Sequence, residues 1–461
     1  MTDERFEGDL KMKMISTSRQ WVPFLLVLLA SIVVPPSARA VPSYARQTGL
    51  SCTACHYTPP ELNLAGRQFK LNGYVQKDAD GKELKADSGP GTPSLNLLSF
   101  LPLSVLFEAS YTSTKSPQPG TQNGTFEMPQ DISLFLSGTW TSHVGSFLQV
   151  TYSKQDDHFS IDNTDIRWAN KATLGGKDLV YGVTLNNNPT VEDLWNDTPA
   201  WGFPWIASDS APTPTAAPII QGLGADVAGI GGYGMWNDHL YAAATLYRSD
   251  HVGAPQPNPG AGFGTNINGV APYWRLAWQE STPSAQFEFG TYGIHVSSFP
   301  GAVSGLVDTY TDWGVDLQYD RTINRRNILS LRGTYIHENS TLTSSFAAGA
   351  AGSVSHHLDT VMANAEYHFG SRCSTTLGYF NTDGTADALL FPQGAVSGSA
   401  NGGVKSTGYI GNVSYWPAQN WQLALQYIGY TSFNGGTSNY DGAGRDASAN
   451  NTTYVLARFI F

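Results

Sequence analysis

From about residue 100 to its end, the chain is made of short segments in which apolar and polar side chains alternate. The segment 361–369 shows the pattern clearly, with an apolar set of Val361, Ala363, Ala365, Tyr367 and Phe369 and a second set of Met362, Asn364, Glu366 and His368. Successive side chains of a β-strand point to opposite faces, so a period of two predicts strands with one apolar and one polar face. Sixteen strands are predicted, at residues 103–111, 132–140, 144–153, 161–170, 179–186, 227–236, 239–248, 272–280, 285–295, 310–320, 327–338, 358–369, 374–382, 407–416, 422–431 and 452–461.

The same alternation predicts how the strands assemble. Only 14% of the residues are charged, and beyond residue 40 no apolar run approaches the roughly 20 residues of a membrane helix. Short links between strands take turns with long ones, as in barrels with short periplasmic turns and long outer loops. We therefore expect an all-β fold: a transmembrane antiparallel β-barrel of about sixteen strands over residues 101–461, with lipid on its outer face. A soluble β-sandwich is the alternative.

The first 40 residues have the features of an export signal. Lys11, Lys13 and Arg19 precede an apolar run over residues 21–34, and Ala38-Arg39-Ala40 is a small-x-small cleavage site. Removal of residues 1–40 is therefore expected, with the outer membrane of a bacterium as the destination. The formal net charge of −11 disfavours nucleic acid and suits cationic partners such as metal ions.

Just beyond this cleavage site lies Cys52-Thr53-Ala54-Cys55-His56. Cys-x-x-Cys-His is the attachment signature of c-type haem, in which two thiols bond the porphyrin and the adjacent histidine ligates iron. A disulfide or redox pair and half of a zinc site are the alternatives. The remaining cysteine, Cys373, is some three hundred residues away, and no βαβ pattern surrounds the motif. We therefore predict one covalent haem c, bound by Cys52, Cys55 and His56, within a monohaem segment at residues 41–100.

The haem segment has too few residues for a complete cytochrome c fold. Thr58-Pro59-Pro60-Glu61 has the pattern of a capping box, which predicts a helix that begins at Pro59 and ends at Gly73. One helix and a loop cannot enclose a porphyrin, so the barrel is expected to cover the rest. We predict that this α-helical and loop segment plugs the lumen, in its periplasmic half.

The sixth iron ligand is not evident from the sequence. Residues 41–102 contain no Met and no His except His56, so this position falls to a barrel residue, to Lys70 or Tyr74, to the new amino terminus, or to none. The Met and His residues nearest in sequence are Met128, His143 and His158, for which ordinary loop or turn roles are the alternative. Cys373, at a predicted turn, is not expected to be redox-active.

Several stretches near the start of the chain resemble a known family. The similar stretches are 41–50, the haem motif, Pro60-Glu61-Leu62, Gly66-Arg67-Gln68-Phe69-Lys70 and Gly73-Tyr74. They resemble the start of the fused outer-membrane monohaem cytochrome-porins of iron-oxidising bacteria, and the end of the chain resembles the terminal signal of outer-membrane barrels. The resemblance implies thioether bonds at Cys52 and Cys55 and proximal ligation by His56. It also implies that electrons pass from iron(II) outside the cell to a periplasmic c-type cytochrome.

Other functions remain open at this stage. The conduit could serve another extracellular donor or acceptor, or the protein could be a solute porin with a haem plug. No catalytic residues are predicted beyond the haem site, so an enzymatic role would be that of an iron(II)-oxidising electron-transfer protein. Two predictions concern further side chains. Propionate pairing is expected of the basic residues among Arg46, Gln47, Arg67 and Lys70. The loop residues Asp156, Asp157, His158, Asp250 and His251 could supply transient iron contacts, and an ordinary solvated role is the favoured alternative for each cluster.

Overall fold

A computed structural model describes residues 42–76, 101–196, 206–253, 265–324 and 326–461. The predicted signal peptide at residues 1–40 lies outside the described residues, as does the end of the haem segment at residues 77–100. Residues 42–76 are called the leader segment below. It contains helix α1 (Ser43–Thr48), a 3-10 helix (Cys52–Ala54) and helix α2 (Leu64–Leu71).

The described part of the barrel has sixteen strands, as predicted. Strand β2 is interrupted and consists of Thr125–Glu127, Asp131–Leu136 and Gly138–Thr139. The other strands are β1 (Leu103–Thr114), β3 (Val144–Ser153), β4 (His158–Leu174), β5 (Lys177–Asn186), β6 (Val227–Trp236), β7 (Leu240–Ser249), β8 (Ala271–Ser281), β9 (Ala285–Ser298), β10 (Asp308–Ile323), β11 (Asn327–Thr341), β12 (Ser355–Phe369), β13 (Cys373–Gly384), β14 (Ser406–Tyr415), β15 (Trp421–Ser432) and β16 (Thr452–Ile460).

Every strand pairs antiparallel with its neighbours, and the first pairs with the last. The β1–β16 register runs from Leu106 opposite Ile460 to Thr114 opposite Thr452, which closes the sheet. Closure gives each edge strand a partner, so the strands satisfy each other's backbone hydrogen bonds. The predicted fold class, a closed antiparallel β-barrel of sixteen strands, is confirmed.

The two faces of the strands differ as the alternation predicts. On β8, Trp274, Leu276 and Trp278 are exposed on the outer face, whereas Arg275 and Gln279 are buried on the inner face. On β12 the inner face carries Asn364, Glu366 and His368, all buried. An apolar exterior around a polar interior is the arrangement that lipid requires of a spanning barrel.

The connections also alternate between the two ends of the barrel. At one end are tight turns such as Asn237-Asp238, where both residues have positive φ angles of 53° and 57°. Two such residues form a turn whose twist matches that of the flanking strands, and Asn and Asp tolerate it better than most residues. The opposite end carries the long connections, with helix α4 (Thr343–Ala347) and a 3-10 helix (Ala447–Asn450) in two of them.

The connection between β5 and β6 departs from the expectation of a long outer loop. Its described residues, 187–196 and 206–226, contain helix α3 (Pro189–Glu192) and a 3-10 helix (Ile219–Gly222), and they fold into the barrel. The backbone N–H of Ile220 donates to Asp312 Oδ2 on the inner wall at 3.0 Å, and Gln426 Nε2 donates to the carbonyl oxygen of Ile206 at 3.0 Å. We call these residues the inward loop. Its apolar side chains explain why the loop folds inward, because Leu194, Trp195 and Ile220 are buried in this position.

Among the described residues, no helix has the length and apolar character that a membrane span requires.

A charge on the outer face tests the assigned lipid side. Leu317 lies near the middle of β10 with its side chain outward. Leu317→Arg should destabilise the folded barrel by about 2–4 kcal/mol, because a cation near the bilayer midplane loses its hydration. Urea unfolding in lipid vesicles measures this difference. Leu306→Arg is the matched control, since Leu306 is exposed in the connection before β10. Equal unfolding midpoints for the two variants would contradict the assigned face.

Candidate haem site

Cys52, Cys55 and His56 lie together on one tight turn. The backbone N–H groups of Cys55 and His56 both donate to the carbonyl oxygen of Cys52, at 3.2 and 3.0 Å. Both thiols are free and half-buried, and burial raises the pKa of each. Redox-active cysteine pairs typically have a lowered thiol pKa, and these two thiols do not.

The imidazole of His56 is oriented by a neighbouring backbone group. Its Nδ1 lies 3.0 Å from the carbonyl oxygen of Glu61. A carbonyl oxygen only accepts, so Nδ1 carries the proton and Nε2 keeps its lone pair. Burial lowers the pKa of His56, which favours the neutral form that binds metals. Metal-bound histidines commonly donate their second ring N–H to a carbonyl in this way, so the residues fit a haem iron at Nε2.

Helix α2 packs directly on the haem motif. Asn63 caps the helix, because its side chain accepts from the N–H of Gly66 at 3.0 Å. The Asn63 amide also donates to the carbonyl oxygen of Ala54 at 3.0 Å. A Cβ atom at Gly66 would lie 2.2 Å from the carbonyl oxygen of Cys55, so only glycine permits this approach. The helix therefore supports the turn that carries both cysteines.

The predicted start of this helix is wrong. Helix α2 begins at Leu64, five residues after the expected Pro59, although Gly73 follows its end with a φ of +71° as expected. Thr58 and Glu61 do not form a capping box, because both side chains turn to the barrel wall. The Thr58 hydroxyl donates to Glu366 Oε1 at 2.7 Å, and the Glu61 carboxylate accepts from Arg332 in a buried ion pair. Long-range charge pairing therefore replaces the local cap.

The leader segment also contacts the opposite side of the barrel. The hydroxyl of Tyr74 donates to Asp165 Oδ2 on β4 at 2.6 Å, and that of Tyr44 donates to the carbonyl oxygen of Ser146 on β3, also at 2.6 Å. Ser146 lies in the half of β3 nearest the short turns, and Asp165 lies near the middle of β4. The prediction that the segment plugs the periplasmic half of the lumen remains a prediction, which the contact with Ser146 favours.

Basic residues of the leader segment have protein partners. Lys70 Nζ donates to the carbonyl oxygen of Asp193 at 2.6 Å and to Asn196 Oδ1 at 3.1 Å, both in the inward loop. Arg46 donates to the carbonyl oxygen of Leu101 at 3.0 Å. The remaining positions named above, Gln47 and Arg67, bond to Thr139 and Gln286 on the wall. These contacts assign an anchoring role, and propionate pairing stays a prediction.

The side chains considered as the sixth ligand have other surroundings in the structure. Lys70 and Tyr74 have the partners described above, and Met128 is 68% exposed. His143 is in a turn, with Nδ1 2.9 Å from Ser142 Oγ, and His158 is exposed beside Asp156. The third cysteine, Cys373, is free at the start of β13.

The end of the lumen nearest the long connections is acidic. Ser210 of the inward loop donates to Glu127 Oε2 at 3.3 Å, and Asp209 beside it lies close to Asp131, Glu127 and Glu108. Burial and these neighbouring carboxylates raise the pKa of Asp209 to about 7. A concentration of carboxylates attracts cations to this mouth.

The described residues contain no group of three or more His, Cys, Asp or Glu side chains that could hold a metal ion. Asp157 accepts from Tyr152, and His251 Nδ1 pairs with Asp250 at 2.8 Å. For Asp156, Asp157, His158, Asp250 and His251, a solvated loop role and transient iron contact thus stay the two alternatives.

Two comparisons with known proteins, against family models and against curated sequences, give no match. Solved structures with a similar fold are porins. OmpF of Salmonella typhi in complex with daunomycin is 10% identical, with 78% of this chain and 97% of that chain covered and a TM-score of 0.46. OprB of Pseudomonas putida is 11% identical, with 78% and 93% covered and a TM-score of 0.45. An anion-selective porin from Comamonas acidovorans is 12% identical, with 78% and 98% covered and a TM-score of 0.44.

The closed sheet, its apolar exterior and its polar lumen define this protein as a porin-like β-barrel of the outer membrane.

Proposed function

We propose that this protein transfers electrons from iron(II) outside the cell to a periplasmic c-type cytochrome, through one covalent c-type haem. The carrying observation is the turn that joins Cys52, Cys55 and His56, with His56 Nδ1 held by the Glu61 carbonyl oxygen and Nε2 directed elsewhere. When bound, the haem would supply a one-electron redox centre.

A redox site within the barrel would let electrons cross the outer membrane. The hydrocarbon layer is about 30 Å thick, too far for an electron to cross without an intermediate site. Iron(III) hydrolyses and precipitates near neutral pH, so oxidation of iron at the surface keeps the product out of the cell. The acidic mouth would raise the local concentration of hydrated iron(II), and the leader segment would limit the passage of other solutes.

The chain's own residues have defined tasks in this proposal. Cys52 and Cys55 would attach the haem, and His56 would ligate its iron. Glu61 has two functions, because its carbonyl oxygen orients His56 and its carboxylate pairs with Arg332 on the wall. Glu61 therefore links the position of the proximal ligand to the barrel wall.

Two alternatives are kept. The same site could serve another extracellular donor or acceptor, and a solute porin with a haem plug would have the same barrel. The many contacts of the leader segment and inward loop within the barrel favour electron transfer over solute flow.

An absorbance spectrum of outer membranes carrying the protein tests the proposal. Iron(II) added without oxygen should produce the sharp bands of reduced c-type haem. The variant Cys52→Ala, Cys55→Ala should lose all covalent haem, because both thioether bonds are removed. The matched control is Cys373→Ala, which removes the remaining cysteine and should retain the bands. Reduction by dithionite but not by iron(II) would reject iron as the donor and support one of the alternatives.

A further inference from the structure

The barrel wall beside the haem motif carries a buried histidine, His368. His368 lies near the short-turn end of β12 with its side chain in the lumen, where it is 5% exposed. Its ring lies 5.8 Å, centroid to centroid, from the ring of Tyr57, the residue that follows His56. Its Nε2 lies 3.4 Å from the carboxylate oxygen Oε1 of Glu366.

The leader segment is held against this part of the wall. Thr58 bonds to Glu366, which is two residues before His368 on the same face of β12. Glu61 pairs with Arg332 on the neighbouring strand. Tyr57 and Thr58, the two residues immediately after His56, therefore contact neighbouring side chains of β12. Tyr57 contacts the imidazole of His368, and Thr58 bonds to the carboxylate of Glu366.

We propose that His368 is the sixth ligand of the haem iron, supplied by the part of the barrel wall that contacts Tyr57. This inference rests on the covalent haem of the proposed function. An imidazole has two ring nitrogens, and Glu366 lies beside Nε2, so Nδ1 is the nitrogen that would bind the iron. A carboxylate in that position typically orients a metal-bound histidine and raises its basicity.

The other inward-facing candidates lie elsewhere. Met362 shares the inner face of β12 but is six residues from His368, about 20 Å along the strand. His356 lies farther along the same strand, and its Nε2 contacts Asp387 Oδ2 at 2.9 Å. Met235 is buried in an apolar cluster with Leu71 and Tyr233. Among the described histidines, His368 is the one whose ring contacts Tyr57, the residue next to His56.

A barrel-derived ligand would have a consequence for assembly. The leader segment carries only one imidazole, so the six-coordinate iron would form only when the segment is seated against β12. Ligation would then connect the redox centre to the folded barrel, and the coordination state would report whether the segment is in place.

The test is the spin state of the ferric haem in the purified full-length protein, measured by absorbance and electron paramagnetic resonance. The wild type should be low-spin and six-coordinate. His368→Ala should lose the low-spin signal and become high-spin, and added imidazole should restore the low-spin spectrum by replacing the missing ring. His356→Ala is the matched control, because it removes a histidine from the same face of the same strand, and it should remain low-spin.

Two further variants keep the inference testable if His368→Ala takes up too little haem. His368→Met should retain haem and change the spectrum to that of His/Met ligation, whereas Met362→Leu should leave the wild-type spectrum unchanged. A low-spin His368→Ala protein, a high-spin wild type, or loss of the low-spin signal in Met362→Leu would each overturn the assignment. A low-spin state that depends on His368 in a protein that iron(II) cannot reduce would support the ligand and reject only iron as the donor.

Discussion

Deletion of residues 42–76 should make the barrel permeable to small sugars. Sixteen-stranded barrels leave an aqueous channel when nothing fills them. Here the leader segment occupies inner-wall contacts on opposite sides, through Thr58 and Glu61 on one side and Tyr44 and Tyr74 on the other. Removal of these contacts should raise the rate of sugar-driven liposome swelling on the order of tenfold.

The control for this deletion separates the polypeptide from the haem. The variant Cys52→Ala, Cys55→Ala keeps the whole leader segment and its wall contacts but has no thiols for attachment. Its swelling rate should stay near that of the wild type. A heat-modifiable band on gels verifies that each barrel is folded. An unchanged rate in the folded deletion variant would mean that the inward loop closes the lumen by itself, contrary to the expectation.

Arg275→Ala should be strongly destabilising, because it removes a guanidinium from a buried charged cluster. Arg275 is fully buried on β8 and faces three carboxylates, with Nε 3.1 Å from Asp193 Oδ1 and Nη2 3.2 Å from Glu288 Oε1 and 2.5 Å from Asp316 Oδ2. Removal of one partner of a buried ion pair typically costs about 3–5 kcal/mol, since the remaining charge stays away from water. Asp193 belongs to the inward loop, so the variant should also release that loop from the wall.

Urea unfolding in lipid vesicles measures the stability, and limited proteolysis reports on the loop. Arg321→Ala is the matched control, because Arg321 is exposed at the short-turn end of β10 and its loss should change stability by less than about 0.5 kcal/mol. If Arg275→Ala unfolds at the same urea concentration as Arg321→Ala, the cluster does not stabilise the folded barrel.

Most of the barrel could be predicted because its determinants are local. A period of two assigns each side chain to a face from its own neighbours, and turns such as Asn237-Asp238 limit the strands without reference to distant residues. The predicted strands at 144–153 and 227–236 have the same bounds in the structure. Closure follows from an apolar outer face in lipid, where an open edge would leave backbone groups without partners.

The candidate site was only partly predictable. The spacing of Cys52, Cys55 and His56 is a local signal of haem attachment, and Gly73 marks the end of α2. The predicted start of that helix is wrong, because the Thr58 and Glu61 side chains that would cap it locally have partners on β12 and β11. Glu366 and His368 could be assigned to the lumen face from the alternation, but their proximity to the haem motif could not.

The sequence by itself therefore determined the strands, the lipid and lumen faces and the haem-attachment motif, since each depends on residues a few positions apart. Only the tertiary structure decided which wall the leader segment contacts, that the connection between β5 and β6 folds inward, and that His368 lies beside Tyr57. These features join residues as far apart as Tyr57 and His368. Their positions depend on barrel closure and on the pairing of buried charges, which no local pattern encodes.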